Sequence, residues 1–202
     1  MSHAARPPRR LILASTSRYR RELLSRLGLP FDATAPNAPE LAIDGETPAR
    51  MAARLALAKA RSIDSPGALV IGSDQVASLD GRLLRKPGSH AVALEQLTAC
   101  QGRTVVFDTA VAIIDTRSGT LLEHVDRTEV LFASLQTAAL DRYLRREQPL
   151  DCAGSFKAEG LGVALFERID SSDPTALIGL PLIWLARALR ELGADPLGPT
   201  DS

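Results

Sequence analysis

The sequence predicts an α/β fold in which helices flank a mixed, not purely parallel, sheet. Strand-length apolar runs alternate with amphipathic helical patterns along the whole chain. Two long β-rich stretches, 104–115 and 121–132, are separated only by Thr116-Arg117-Ser118-Gly119-Thr120, the spacing of antiparallel neighbours. No repeat, low-complexity run or linker divides the chain. These features predict one domain over 11–196, with a flexible N-terminal extension at 1–10 and a flexible tail at 197–202.

Leu11 to Ala14 reads as a buried first strand. The polar turn Ser15-Thr16-Ser17 leads into a helix carrying Leu23, Leu24 and Leu27, which Gly28 ends. A Pro-broken connection from Pro30 to Gly45 follows. Thr47 then suits an N-cap and Pro48 the first helical turn, with Met51, Leu55 and Ala58 on one face. Ala68 to Gly72 is a second apolar strand that places Asp74 at or near its carboxyl end, a location that favours ligands in α/β sheets. Leu79 to Leu83 forms a tight turn around Asp80-Gly81, and Ser89 caps a helix towards Cys100 that ends near Gly102. After the antiparallel pair come a helix over Thr137 to Arg146 stopped by Pro149, a Gly-punctuated strand pair within 151–168, and a closing amphipathic helix from Leu182 to Leu192.

At 202 residues and 45% hydrophobic content the chain can bury an ordinary core, so global disorder is excluded. Lys plus Arg and Asp plus Glu each total 24, leaving no field of one sign to hold nucleic acid or an anionic membrane. Any anion site is therefore local. Only Cys100 and Cys152 are present, which argues against a disulfide-stapled secreted domain and fits a reducing compartment, the cytoplasm. The apolar segment after the basic MSHAARPPRR is too short for a signal peptide or a membrane span.

Ser15, Thr16 and Ser17 stand between a strand and a helix start, where free N–H groups and the positive end of the helix dipole favour an anion. Arg18, Arg20 and Arg21 reinforce that preference, and several basic groups beside hydroxyls suit a polyphosphate. The competing reading is that Ser15 only caps the helix and the arginines are solvated. Neither G-x-x-x-x-G-K-[ST] nor a post-strand G-x-G-x-x-G occurs, which removes support for kinase and dinucleotide-binding readings. Glu40 and Asp74 are acidic residues after apolar segments, and a carboxylate pair can hold Mg²⁺ that also binds phosphate, with Asp74 alternatively a proton acceptor from water. The competing reading leaves Glu40 a solvated loop glutamate, whereas Asp74, after an apolar strand, needs a partner. Lys59 and Lys86 each offer a point charge to phosphates, although Lys59 equally suits a stem laid along the helix surface. His3, His90 and His124 are scattered and do not reach zinc-site spacing, and no local Ser–His–Asp motif occurs.

Five blocks in order resemble the Maf family of nucleotide pyrophosphatases, also called septum-formation inhibitors. They are Leu-Ala-Ser-Thr-Ser-Arg-Tyr-Arg-Arg-Glu-Leu-Leu at 13–24, Ile-Gly-Ser-Asp-Gln-Val at 71–76, Lys86-Pro87, Cys-Ala-Gly-Ser-Phe-Lys-Ala-Glu-Gly at 152–160, and Gly179-Leu180-Pro181. The resemblance covers the chain after Arg10. It implies hydrolysis of a nucleoside triphosphate between the α and β phosphates with a divalent cation, Mg²⁺ or Mn²⁺. It also implies an elongated, inosine-triphosphatase-like fold of two lobes around a central cleft. By the same resemblance Asp74 is the proton acceptor, Ser15, Arg20 and Lys86 bind phosphate, and Glu40 is associated with metal.

Tyr19, Gln75 and Glu159 occupy the positions that resemble the family's 7-methyl-GTP branch; the dTTP/UTP branch typically carries Arg, Thr and Gln there. Guanine presents N1–H and a 2-amino group side by side, so the two oxygens of Glu159 suit both donors. N7 methylation makes the purine cationic, and the Tyr19 face would add about 0.5–2 kcal/mol of cation–π attraction. The opposing reading packs Tyr19 on the sheet and pairs Glu159 with Lys157 or an arginine. Two departures from the family pattern stand out: Arg18 replaces a proline and Pro39 an acidic residue. Expected partners are a nucleoside triphosphate, no nucleic acid and no membrane, with a homodimer left open. The rivals are a dTTP/UTP pyrophosphatase and a nucleotide-binding regulator of septation with little turnover.

Overall fold

The computed structural model describes residues 9–41 and 43–198. Seven strands form one mixed sheet: β1 (Leu11–Ala14), β2 (Phe31–Thr34), β3 (Leu69–Leu79), β4 (Arg82–Leu84), β5 (Thr104–Asp115), β6 (Leu121–Phe132) and β7 (Phe166–Asp170). Their order is β2-β1-β3-β5-β6-β7, with β4 paired separately to β3. β1 is parallel to β2 and β3, and every pairing from β3 onward is antiparallel. The helices are α1 (Arg18–Ser25), α2 (Pro48–Arg61), α3 (His90–Cys100), α4 (Thr137–Glu147) and α5 (Leu182–Glu191). Among the described residues, no helix is long and apolar enough to cross a membrane.

Side-chain alternation along the central strands builds three clusters. One sheet face carries Ile12, Val70, Val76, Ala110 and Ala112 against Ala52, Ala56 and Ala60 of α2. The other face is divided along the strand direction. Leu13, Ile71 and Val111 pack with Leu23 and Leu24 of α1 and Leu185 and Leu189 of α5. Ala77, Phe107 and Phe132 pack with Leu97 of α3 and Leu140 of α4. The long strands β3 and β5 thus join two helix-covered lobes, and the space between the lobes falls over the middle of β3.

Local signals hold at most elements. Thr47 Oγ1 accepts from Arg50 N at 3.3 Å to cap α2, and Ser89 Oγ accepts from Val92 N at 3.4 Å to cap α3. The β3–β4 turn puts both Asp80 (φ 48°) and Gly81 (φ 78°) in the left-handed region that a tight hairpin requires.

Three expectations need correction. The Pro30–Gly45 connection contains β2, an edge strand whose exposed Asp32, Ala33 and Thr34 carry no hydrophobic alternation to announce it. Residues 151–168 hold not a strand pair but short 3₁₀ turns at Ala153–Ser155 and Leu161–Leu165 and the start of β7. Asp74 lies in the middle of β3, which continues five residues past it to Leu79. Residues 1–8 and 199–202 of the expected extension and tail lie outside the described residues. Arg9 and Arg10 are tied to the domain by ion pairs to Asp115 and Asp32.

One contact sets the distance between α2 and the sheet. A Cβ placed on Gly72 would lie 2.1 Å from Ala56 O and 2.6 Å from Ala60 N, so only glycine admits this approach. Ala52, Ala56 and Ala60, spaced four apart, present a small-residue stripe to the same region. Gly72→Ala should push α2 off β3, costing about 1–3 kcal/mol or more by overpacking. Thermal denaturation should show a midpoint lowered by about 2–12 °C.

Candidate active site

The site lies where the sheet is interrupted. β5 pairs with β3 along its whole length, from Leu69 to Leu79. On the other edge, β1 pairs only as far as Gly72, and β4 begins only at Ala77. Ser73 to Val76 therefore have a strand partner on one side only, and a cavity of about 750 Å³ opens beside them. Both faces of β3 reach it: Asp74 points to the α2 side and Gln75 to the opposite side.

Ser15, Tyr19, Arg20, Glu40, Lys59, Asp74, Gln75, Lys86 and Glu159 all line this one cavity. Arg21 does not: it is exposed and absent from the lining, because it is turned away on α1 from the side that carries Arg20. The sequence predicted Arg21 as a phosphate ligand, and the helical phase overrules it. Apolar walls contributed by Leu55, Val76, Phe107, Phe156 and Leu177 carry no local sequence signal, since they come from separate elements.

At the α1 end of the cavity, Ser17 rather than Ser15 caps α1, its Oγ accepting from Arg20 N at 3.4 Å. Ser15 Oγ accepts from Ser17 N at 3.1 Å and so shapes the turn, while the first-turn N–H groups have no intrahelical acceptor. Arg20 donates from Nε to Gly179 O at 3.0 Å, and Ser73 Oγ donates to the same carbonyl at 3.0 Å. This fixes the guanidinium plane and leaves its two Nη atoms for a ligand. Burial pulls Arg20 below the ordinary arginine value, against the attraction of Asp74 and Glu40. An arginine so shifted is still a cation at neutral pH.

Lys59 occupies the centre. Its Nζ lies 2.6 Å from Glu40 Oε1 and 2.6 Å from Asp74 Oδ1, and both Lys59 and Asp74 are buried. The role of a free phosphate ligand expected for Lys59 is therefore replaced in this state by a carboxylate bridge. Glu40, exposed in the middle of the long loop between β2 and α2, is held below the ordinary carboxylate range by the Lys59 hydrogen bond. Burial opposes that shift, and the charges of Lys59, Lys86 and Arg20 reinforce it. The loop is pinned by Arg54, which pairs with Glu46 through Nε (2.8 Å) and Nη2 (2.6 Å) and donates to Leu41 O at 2.9 Å.

Among the described residues, no group of three or more His, Cys, Asp or Glu is placed to hold a metal. Glu40 and Asp74 still fit magnesium or manganese chemically, because such ions take one or two carboxylates and complete their shell with phosphate oxygens and water. The donor set is hard oxygen throughout, which is the wrong set for structural zinc.

At the other end, Gln75 Nε2 lies 3.0 Å from each of Thr109 Oγ1, Ala176 O and Leu177 O. Two of these are carbonyls, which only accept, so the amide must present its nitrogen to them and keep its oxygen as an acceptor. Glu159 is exposed on the cavity wall and has no ion-pair partner among the described residues. Lys157, considered as its partner, instead donates to Glu147 O at 2.8 Å. Tyr19 lines the cavity and belongs to none of the three core clusters. The Arg18 guanidinium lies 4.6 Å from its ring centroid and donates to its hydroxyl at 2.7 Å, so one aromatic face already carries a cation. Cys152, also in the wall, is pushed up to about 12, chiefly by burial, and stays a neutral thiol.

A family model described as "Maf-like protein" matches residues 10–192. The chain belongs to the Maf family. A relative from Burkholderia lata named 7-methyl-GTP pyrophosphatase is 58% identical over 190 residues, 92% of this chain and 90% of that protein. Relatives of the same name from Xanthomonas oryzae pv. oryzae (58% over 186 residues, 91% and 97% covered) and Albidiferax ferrireducens (50% over 192 residues, 94% and 96% covered) agree. Among solved structures, a HAM1 protein from Coxiella burnetii superposes with a TM-score of 0.54 at 16% identity, over 91% of this chain and 99% of that one. The Staphylococcus aureus Ham1 protein gives 0.53 at 14%, over 92% and 100%. At that identity the likeness concerns the fold, and it bears out the inosine-triphosphatase-like architecture of this Maf chain.

The positions of the two arginines give a direct contrast. Arg20→Ala should weaken pyrophosphate binding about tenfold or more, the scale of a lost charge-assisted hydrogen bond, whereas Arg21→Ala should change it less than about twofold. Isothermal titration with pyrophosphate measures both.

Proposed function

We propose that this Maf protein hydrolyses 7-methyl-GTP to 7-methyl-GMP and diphosphate and so removes a modified nucleotide from the cytoplasmic pool. The observation that carries the reading is the convergence on one cavity of a buried Asp74, the basic groups Arg20, Lys59 and Lys86, and the acceptors of Gln75 and Glu159. Relatives more than half identical over nearly the whole chain bear the corresponding name.

In this reading the first turn of α1, Arg20 and Lys86 hold the triphosphate through charge-assisted hydrogen bonds. Lys59 fixes one oxygen of Asp74 and leaves the other to orient water and accept its proton. A divalent cation held by Glu40 together with phosphate oxygens would neutralise phosphate charge. Holding the anhydride beside a fixed acceptor makes positioning and electrostatics the main sources of rate. At the base, Gln75 Oε1 and the Glu159 carboxylate are acceptors. They suit the adjacent N1–H and 2-amino donors of guanine better than the single ring donor of uracil or thymine.

Asp74→Asn should lower pyrophosphate release from 7-methyl-GTP by about 10²-fold or more with the fold retained; an unchanged rate removes Asp74 from the mechanism. Initial rates on 7-methyl-GTP, GTP, dTTP and UTP test the base assignment. Glu159→Gln should reduce the preference for 7-methyl-GTP over UTP by about tenfold, and an unaltered ranking would place base recognition elsewhere. Tight nucleotide binding without pyrophosphate release in the presence of magnesium would favour a regulatory binding role instead.

A further inference from the structure

The phosphate-side lysine and the base-side carboxylate lie on loops that have no strand or helix in common. Lys86 follows Arg85 in the stretch between β4 and α3, and Glu159 follows the turn at Ala153–Ser155. One side chain outside the cavity touches both loops. Gln96, half-buried on α3, donates from Nε2 to Arg85 O at 3.1 Å and accepts from Ser155 Oγ at 2.6 Å through Oε1. Its amide is used at both ends, and each partner sits one residue before Lys86 or four before Glu159.

Ser155 makes this contact from an unusual backbone. It is fully buried and has φ 63°, directly after Gly154 at φ 78°. Two successive left-handed residues, the second with a side chain, persist only where surrounding contacts over-determine them. Here those contacts are the Gln96 hydrogen bond, Ser155 N to Cys152 O at 3.2 Å, and the burial of Phe156 among Phe107, Phe132 and Phe166. A direct backbone bond, Gly88 N to Leu150 O at 3.1 Å, also runs between the two segments.

We infer that Gln96 is a positioning residue that couples the two ends of the nucleotide site, setting Lys86 through Arg85 and Glu159 through Ser155. The inference rests on the nucleotide reading of the cavity. It predicts that the two ends of the amide can be disabled separately. Ser155→Gly removes the hydroxyl while keeping a residue suited to the left-handed backbone, so folding survives. It should weaken 7-methyl-GMP about three- to tenfold, the scale of one lost hydrogen bond, and leave pyrophosphate unchanged. Gln96→Glu keeps the acceptor for Ser155 but replaces the donor to Arg85 O, so it should weaken pyrophosphate and spare 7-methyl-GMP. Gln96→Leu should weaken both.

Calorimetric titration of the full chain with each product reads this pattern without requiring turnover. Equal binding of both products by Gln96→Leu and the unaltered chain overturns the coupling, as does a Ser155→Gly and Gln96→Glu pair that shifts the same ligand. Should Gln96→Leu fail to fold, the crossed pattern of the other two variants decides. If the unaltered chain binds both products yet releases no pyrophosphate from 7-methyl-GTP, hydrolysis is refuted while the crossed pattern still tests Gln96; binding of neither product refutes both.

Discussion

The ammonium of Lys59, seated between Glu40 and Asp74, is the contact on which the arrangement of the site depends. A buried carboxylate on a central strand is destabilising unless paired and hydrogen-bonded. The partner arrives from α2, and it arrives at hydrogen-bond distance only because α2 lies against Gly72 through its alanine stripe. A bulkier helix face would hold the axis further from the sheet and leave Asp74 unpaired. The same ammonium draws in Glu40 from a loop with little structure of its own, which Arg54 anchors from behind. Helix packing, burial of charge and assembly of the acidic pair are therefore one problem with one solution.

The opening in the sheet follows from strand lengths. β1 is four residues long and stops opposite Gly72, whereas β3 is eleven residues long and meets β4 only at Ala77. The unpaired edge between them gives a ligand access to both faces of one strand, so that consecutive residues, Asp74 and Gln75, serve opposite ends of the cavity. The period-2 alternation that normally divides core from solvent here divides the proposed chemistry from the proposed recognition. Lobes built on the two halves of β3 and β5 enclose the space, and Gly179 O, shared by Arg20 and Ser73, joins α1 to the centre of the sheet.

Much of this was legible beforehand. The antiparallel pair 104–115 and 121–132, the caps Thr47 and Ser89, and the clustering of Ser15, Arg20, Asp74 and Lys86 all followed from local pattern or motif. β2 is not legible because an exposed edge strand needs no apolar alternation, and the apolar residues of 151–168 mimic strands because they are wound into 3₁₀ turns. Arg21 is off the cavity because adjacent helical residues point about 100° apart, and a short motif does not reveal which of them faces it.

The sequence by itself determined the kinds of groups available and the elements that carry them: hydrophobic period, capping residues and glycine placement are properties of neighbouring residues and act within a few positions. Only the tertiary structure decided that Lys59 bridges two carboxylates instead of standing free, that Arg18 covers one face of Tyr19, and that β3 has an open edge. Each depends on groups brought together across the chain or on how far two neighbouring strands extend. Such contacts are set by packing distance and register, quantities that no local window of residues contains.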